Sequence, residues 1–154
     1  MKFRLISFRI CFVIASTFIL MIASPQTSEA ENVVITIHLV NGKNGKPIKD
    51  ENLNVFVNKG RGAENFRPDS DGIIKLTVDS NALVSFLSNI DVTCHKITEV
   101  ENSQHQLQQY KVSDILEHGI SDTNTCSKKV RIEPHPGDFI YYERPRTLWE
   151  WWAL

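Results

Sequence analysis

The run Val33-Val34-Ile35-Thr36-Ile37-His38-Leu39-Val40 constrains the fold of this chain more than any other segment. Its β-branched residues favour extended backbone, where successive side chains point to opposite faces. Val33, Ile35, Ile37 and Leu39 form one apolar face, and Val34, Thr36, His38 and Val40 the other. A strand with such a face has to bury it against a second layer. Comparable runs recur at residues 53–57, 73–78, 83–87, 91–100, 128–133 and 139–143. Turn chemistry separates them: the two Asn-Gly signals of Asn41-Gly42-Lys43-Asn44-Gly45-Lys46-Pro47, then Asp69-Ser70-Asp71-Gly72, then Pro134-His135-Pro136-Gly137. Short strands spaced in this way predict an all-β, seven-stranded Ig-like sandwich, with an OB-type barrel as the structural alternative.

One segment departs from the β pattern. Ser113-Asp114-Ile115-Leu116-Glu117-His118-Gly119 combines a capping serine or aspartate, apolar neighbours and a closing glycine, which predicts one short helix. The polar stretch 99–109 reads as a solvated hairpin loop or edge.

Residues 1–30 read as a signal peptide. Lys2, Arg4 and Arg9 supply the positive region, Ile10 to Ala23 an apolar stretch of 14 residues, and Ser28-Glu29-Ala30 a small-x-small cleavage pattern. The stretch falls short of the roughly 20 residues that span a bilayer. An uncleaved anchor is the alternative, and it would draw Arg4 and Arg9 towards the membrane. Cleavage leaves residues 31–154 as a single domain in the periplasm or outside the cell. It removes three basic residues and one acidic one, which takes the formal charge from −1 to −3. A nucleic-acid-binding domain would carry a basic excess instead.

Cys11 leaves with the signal, so Cys94 and Cys126 remain. In an oxidising compartment the simplest outcome is a disulfide between them. With the two cysteines 32 positions apart, the chain-entropy estimate for such a bridge is about 3.5–4 kcal/mol.

The stretch from Leu39 to Val57, with its Asn-Gly-Lys-Asn-Gly-Lys-Pro-Ile turn and following strand, resembles the opening of transthyretin-like domains. These are also called carboxypeptidase regulatory-like or prealbumin-like domains, and they share their architecture with Cna-B-type adhesin repeats and starch-binding-like modules. Asp69 to Gly72 is similar to a later turn of that family. The second half, with Asn124-x-Cys126, Pro136-Gly137-Asp138-Phe139 and Arg144-Pro145, resembles small exported bacterial proteins of the same superfamily. The resemblance implies a transthyretin-like β-sandwich over 31–154. It does not imply catalysis. The hydroxyisourate hydrolases of this fold end in Tyr-Arg-Gly-Ser, whereas this chain ends Trp-Glu-Trp-Trp-Ala-Leu.

Catalytic patterns are missing elsewhere too: there is no GxSxG elbow, HExxH helix, P-loop or CxxC pair. None of His38, His95, His105, His118 and His135 has a histidine partner at metal-ligand spacing. Asp69-x-Asp71-Gly72 resembles the start of a calcium loop but lacks the downstream glutamate, so a plain turn is expected. No enzyme activity, cofactor or metal is predicted.

All three tryptophans lie in the last six residues, after the strand Phe139–Glu143 and the run Arg144-Pro145-Arg146-Thr147-Leu148. Leu148 and Trp152 are four apart and Trp149 and Trp152 three apart, the spacing of a helical turn. Three readings stay open for this tail. It folds back as a lid over one end of the sandwich; or it forms a surface for a protein or a sugar, built from Tyr142, Arg146, Trp149, Trp151 and Trp152; or it enters a membrane interface. The function expected is a non-enzymatic exported β-sandwich module for protein interaction or envelope structure. The alternative is a carbohydrate-binding module that uses the C-terminal aromatics. The expected partner is an envelope protein or a polysaccharide, with membrane contact through the signal segment before cleavage.

Overall fold

A computed structural model describes residues 31–58, 62–89, 92–95 and 107–152, with the backbone alone at Trp151. The predicted signal peptide and most of the polar stretch 99–109 lie outside these residues.

Two open sheets face each other. β1 (Asn32–Asn41) lies at the centre of the first. On one side it pairs antiparallel with β4 (Ile73–Asp79), in a register that sets Ile35 opposite Leu76 and Ile37 opposite Ile74. On the other side it pairs in parallel with β9 (Asp138–Arg144), setting Ile37 opposite Phe139 and Leu39 opposite Tyr141. The far edge of β9 is shared by two short strands, β8 (Ile120–Ser121) in parallel and β6 (Val92–Thr93) antiparallel. The second sheet is antiparallel throughout, in the order β3 (Glu64–Phe66), β2 (Leu53–Val57), β5 (Leu83–Ser88) and β7 (Tyr110–Lys111).

The alternation in the sequence is what builds the interior. Ile35, Ile37 and Leu39 of β1, Ile74, Leu76 and Val78 of β4, Leu53 and Val55 of β2, and Val84 and Phe86 of β5 are all buried between the sheets. Each such side chain contributes about 1.5–3 kcal/mol by leaving water. Phe139 sits among them, its ring centroid 4.4 Å from Phe86 and 4.6 Å from Tyr110.

The helix α1 (Val112–His118) carries the chain from the second sheet to the first. Its buried residues Val112 and Ile115 belong to the same core. It starts earlier than the sequence suggests: its N-cap is Lys111, with no side-chain cap, so Ser113 and Asp114 fall in the first turn. The predicted end is right, since the Gly119 amide donates to Ile115 at 2.9 Å.

The seven-strand expectation needs correction in detail. Nine strands occur among the described residues. β3, β7 and β8 are only two or three residues long and lack a readable alternation. Residues 128–133, expected as a strand, form none. They belong to an irregular strap, residues 122–137, that crosses the outer face of β9. Its ends bond to backbone, Asp122 to Ile140 of β9 and Gly137 to Ile115, while backbone groups between them bond to side chains. Ile132 donates its amide to the Tyr142 hydroxyl at 2.8 Å, and Val130 accepts from the Asn124 amide at 3.0 Å.

The strap covers a second small core of Val40, Cys94, Ile140 and Tyr142, with Cys126, Val130 and Ile132 packed against it. The Cys94–Cys126 disulfide, with a Cα–Cα distance of 5.3 Å, ties the strap to the end of β6. Gly42 is where the strap meets β1. Its carbonyl accepts from the Asn124 side chain at 2.8 Å. A Cβ there would stand 2.7 Å from both Asn124 Oδ1 and Cys94 Sγ. The turn before β4 is built from Asp69, whose carboxylate accepts the amides of Asp71 and Ile73 at 2.9 Å each. Gly72, at φ 74°, completes it.

Two stability outcomes follow from this arrangement. Gly42→Ala is expected to cost about 1–3 kcal/mol through overpacking against the disulfide. Gly62→Ala, which meets nothing within 4 Å, serves as the neutral control in urea denaturation. Replacing Cys94 and Cys126 together by serine is expected to lower stability by about 3 kcal/mol in the same assay.

Candidate functional site

The aromatic tail is launched from the end of β9 and forms the helical turn α2 (Leu148–Trp152). Thr147 starts the turn. Glu150 accepts from the Thr147 amide at 2.8 Å and from its hydroxyl at 2.9 Å, while the Glu150 amide donates to the Thr147 carbonyl at 3.0 Å. Thr147-Leu148-Trp149-Glu150 thus has the spacing of a capping box and makes its glutamate half, the Glu150 side chain closing back on the Thr147 amide.

Glu150 is also gripped from the sheet. Arg144, the last residue of β9, donates Nη1 to Glu150 Oε2 at 2.7 Å and Nη2 to Oε1, a two-pronged pair. Arg144, followed by the two Thr147 bonds, holds the Glu150 carboxyl well below the usual carboxylate range.

This clamp aims the turn outward. Leu148, Trp149 and Trp152 are 77, 84 and 85% exposed. The lid reading is thereby overturned, because these side chains do not close the sandwich. Exposed together on a single helical turn, they form one apolar surface. Arg146 is half-buried. Tyr142, assigned to the same surface from sequence, is not part of it. Alternation on β9 turns it under the strap, where it is 1% exposed and its hydroxyl accepts the Ile132 amide. Trp151 falls on α2, but its side chain lies outside the described atoms.

A second concentration of polar groups lies inside the sandwich, towards the end of β9. Glu143 is fully buried, as is Tyr141 beside it on the inner face of the strand. Ser88 on β5 is buried too, and the His95 ring stands 6.4 Å from that of Tyr141. His95 Nδ1 lies 3.5 Å from Asp122 Oδ2. Burial pushes the Tyr141 phenol up from its ordinary value, the Glu143 and Asp122 charges add to this, and the Ser88 backbone opposes it. Sequence alternation could not reveal this set, since its members come from four separate segments. The residue types suit acid–base chemistry, but the side chains are enclosed.

A further pairing is half-buried. The Asp138 carboxylate lies 3.2 Å from His38 Nε2 and 3.4 Å from His135 Nδ1, joining β1 to the turn that precedes β9. Among the described residues no group of three His, Cys, Asp or Glu side chains is placed to hold a metal ion. Asp69 spends its carboxylate on backbone amides, which lower its pKa, Ile73 first and Asp71 next. It forms a plain turn. No described helix is long and apolar enough to cross a membrane.

Between the strap and the β8–β9 edge lies an open cavity of about 650 Å³. Its lining includes Ser121, Thr123, Ser127, Lys128, Arg131 and Tyr142. No protein-family model matches the chain, and neither does any curated protein or solved structure.

The Glu150 clamp has a defined pH dependence. A carboxyl whose folded pKa is lowered contributes fully above its unfolded value, about 4.3, and the contribution is lost as pH falls through the lower folded value. The indole resonances of Trp149 and Trp152 are expected to stay unchanged from neutral pH down to about pH 5 and to narrow only under stronger acid. Glu150→Gln is expected to narrow them already at neutral pH, because the two-pronged pair is lost.

Proposed function

We propose that the protein is a non-enzymatic exported module of transthyretin-like architecture that docks on another envelope protein through α2. The observation that carries this reading is the outward display of Leu148, Trp149 and Trp152 on a turn clamped to the sheet. Exposed indole surface is costly in water and is the commonest anchor of protein interfaces. Because the turn is already formed and clamped, a partner does not have to order it, which lowers the cost of association. The geometry suits a groove that receives an apolar helical turn.

The family resemblance rests on the β1–turn–β2 opening. The arrangement of two facing β-sheets is consistent with it. Export rests on residues 1–30 and on the single disulfide, a bond of oxidising compartments.

The test begins with the mature protein recovered from its native envelope, where mass spectrometry is expected to find Glu31 as the first residue. Photo-crosslinking from position 149 is then expected to trap one discrete protein partner. Trp152→Ala should abolish the crosslink with no more than about 0.5 kcal/mol change in stability, as for an exposed residue. Retention on envelope polysaccharide that disappears with Trp149→Ala and Trp152→Ala, without any protein crosslink, would overturn this reading in favour of a carbohydrate-binding module.

A further inference from the structure

The geometry points to a second binding site, the cavity under the strap, which takes a carboxylated sugar. This site does not involve α2, so it stands or falls separately from the docking reading.

The cavity is the right size. About 650 Å³ lies within the roughly 300–1,000 Å³ of small-molecule sites, and it is larger than a bare anion requires. It is also held in place before any ligand arrives. The disulfide anchors one end of the strap, and the Ile132–Tyr142 bond anchors the other. Between them the Asn124 side chain donates to Gly42 and Val130 and accepts from the Cys126 and Ser127 amides.

The lining has the chemistry of sugar recognition. Thr123 and Ser127 bring hydroxyls that can donate, as the hydroxyls of a pyranose do, with Ser127 Oγ also accepting the Lys129 amide. The Ser121 hydroxyl is turned to the Asp122 carbonyl and the Tyr142 hydroxyl and keeps its lone pairs. Val130 and Ile132 add aliphatic surface for the C–H face of a ring. Lys128 and Arg131 are exposed, and among the described residues neither has an ion-pair partner.

Two acids belong to the same lining. The Asp122 side chain is only 4% exposed, with one carboxylate oxygen beside His95 and the other accepting the Thr123 amide. Glu133 is the one acid among the exposed side chains of the lining, against the two exposed cations. A planar guanidinium with no partner matches a carboxylate in a two-pronged geometry. The buried Tyr142 ring offers no face for stacking a nucleobase. Hydroxyls, aliphatic surface and an unpartnered exposed guanidinium together specify a uronic acid more closely than a neutral sugar or a simple anion.

The experiment is an amide NMR titration of the mature, disulfide-bonded protein with D-glucuronate and with digalacturonate. Glucose, acetate and inorganic phosphate are the comparison ligands. Saturable shifts are expected at Thr123, Ser127, Lys128 and Arg131 with at least one of the two uronates. Glucose and acetate should each bind at least about fivefold more weakly, because each lacks half of the recognition. Arg131→Ala is expected to weaken binding about tenfold, with an unchanged thermal midpoint because the side chain is exposed. Trp149→Ala should leave the titration unaltered.

Three results would overturn the proposal. These are no saturable response to either uronate, an equal response to acetate or phosphate, or uronate binding that Arg131→Ala leaves intact.

Discussion

The rest of this structure depends on the parallel pairing of β1 with β9. It joins the first described strand to the last, and β9 then supplies the edge on which β8 and β6 form. Side chains of β9 are buried on both faces, Phe139, Tyr141 and Glu143 towards the core and Ile140 and Tyr142 under the strap. Without this strand β8 and β6 would lose their partner and the strap would have nothing to cover. A contact between such distant segments carries a large loop-closure cost before it brings any gain. The cost is met by the number of large apolar side chains that β9 buries at once.

Both candidate sites are built on β9, and covering its outer face creates one of them. The strap reaches across the sheet as irregular chain, so its backbone groups need partners that a regular strand would have provided. Asn124, the Tyr142 hydroxyl and the disulfide supply those anchors. The space left between strap and sheet edge is the polar cavity. At the opposite side of the Pro145 corner, Arg144 converts the rigidity of β9 into a fixed direction for α2. One strand thus holds a polar pocket near its middle and presents an aromatic turn at its end.

Strands with a clear period of two were legible in the sequence. β1, β2, β4 and β5 lie within a residue of the expected ranges because each has to bury at least one face, and so does β9, which buries both. The short helix and its glycine end were legible for similarly local reasons, and the Cys94–Cys126 bridge because two cysteines alone remain after the expected signal. The strap was not. Val130 and Ile132 alternate like a strand, yet they bury their side chains against a sheet face without joining a sheet edge. Two-residue strands such as β7 and β8 carry no pattern and exist only because a neighbour offers an edge.

The tail shows the same division. Helical spacing in Leu148–Trp152 and the capping-box spacing of Thr147 and Glu150 are properties of neighbouring residues, so the turn itself is written in the chain. Whether that turn packs inward or faces water depends on where Arg144 points when β9 is in place, and on whether a surface lies within reach of the indoles. Tyr142 makes the point from the other side. It neighbours the tail in sequence, but strand alternation carries it to a face that only the strap, arriving from a distant part of the chain, can cover. Local periodicity therefore decides which residues form an element, while burial is a property of the assembled layers and was settled only by the tertiary structure.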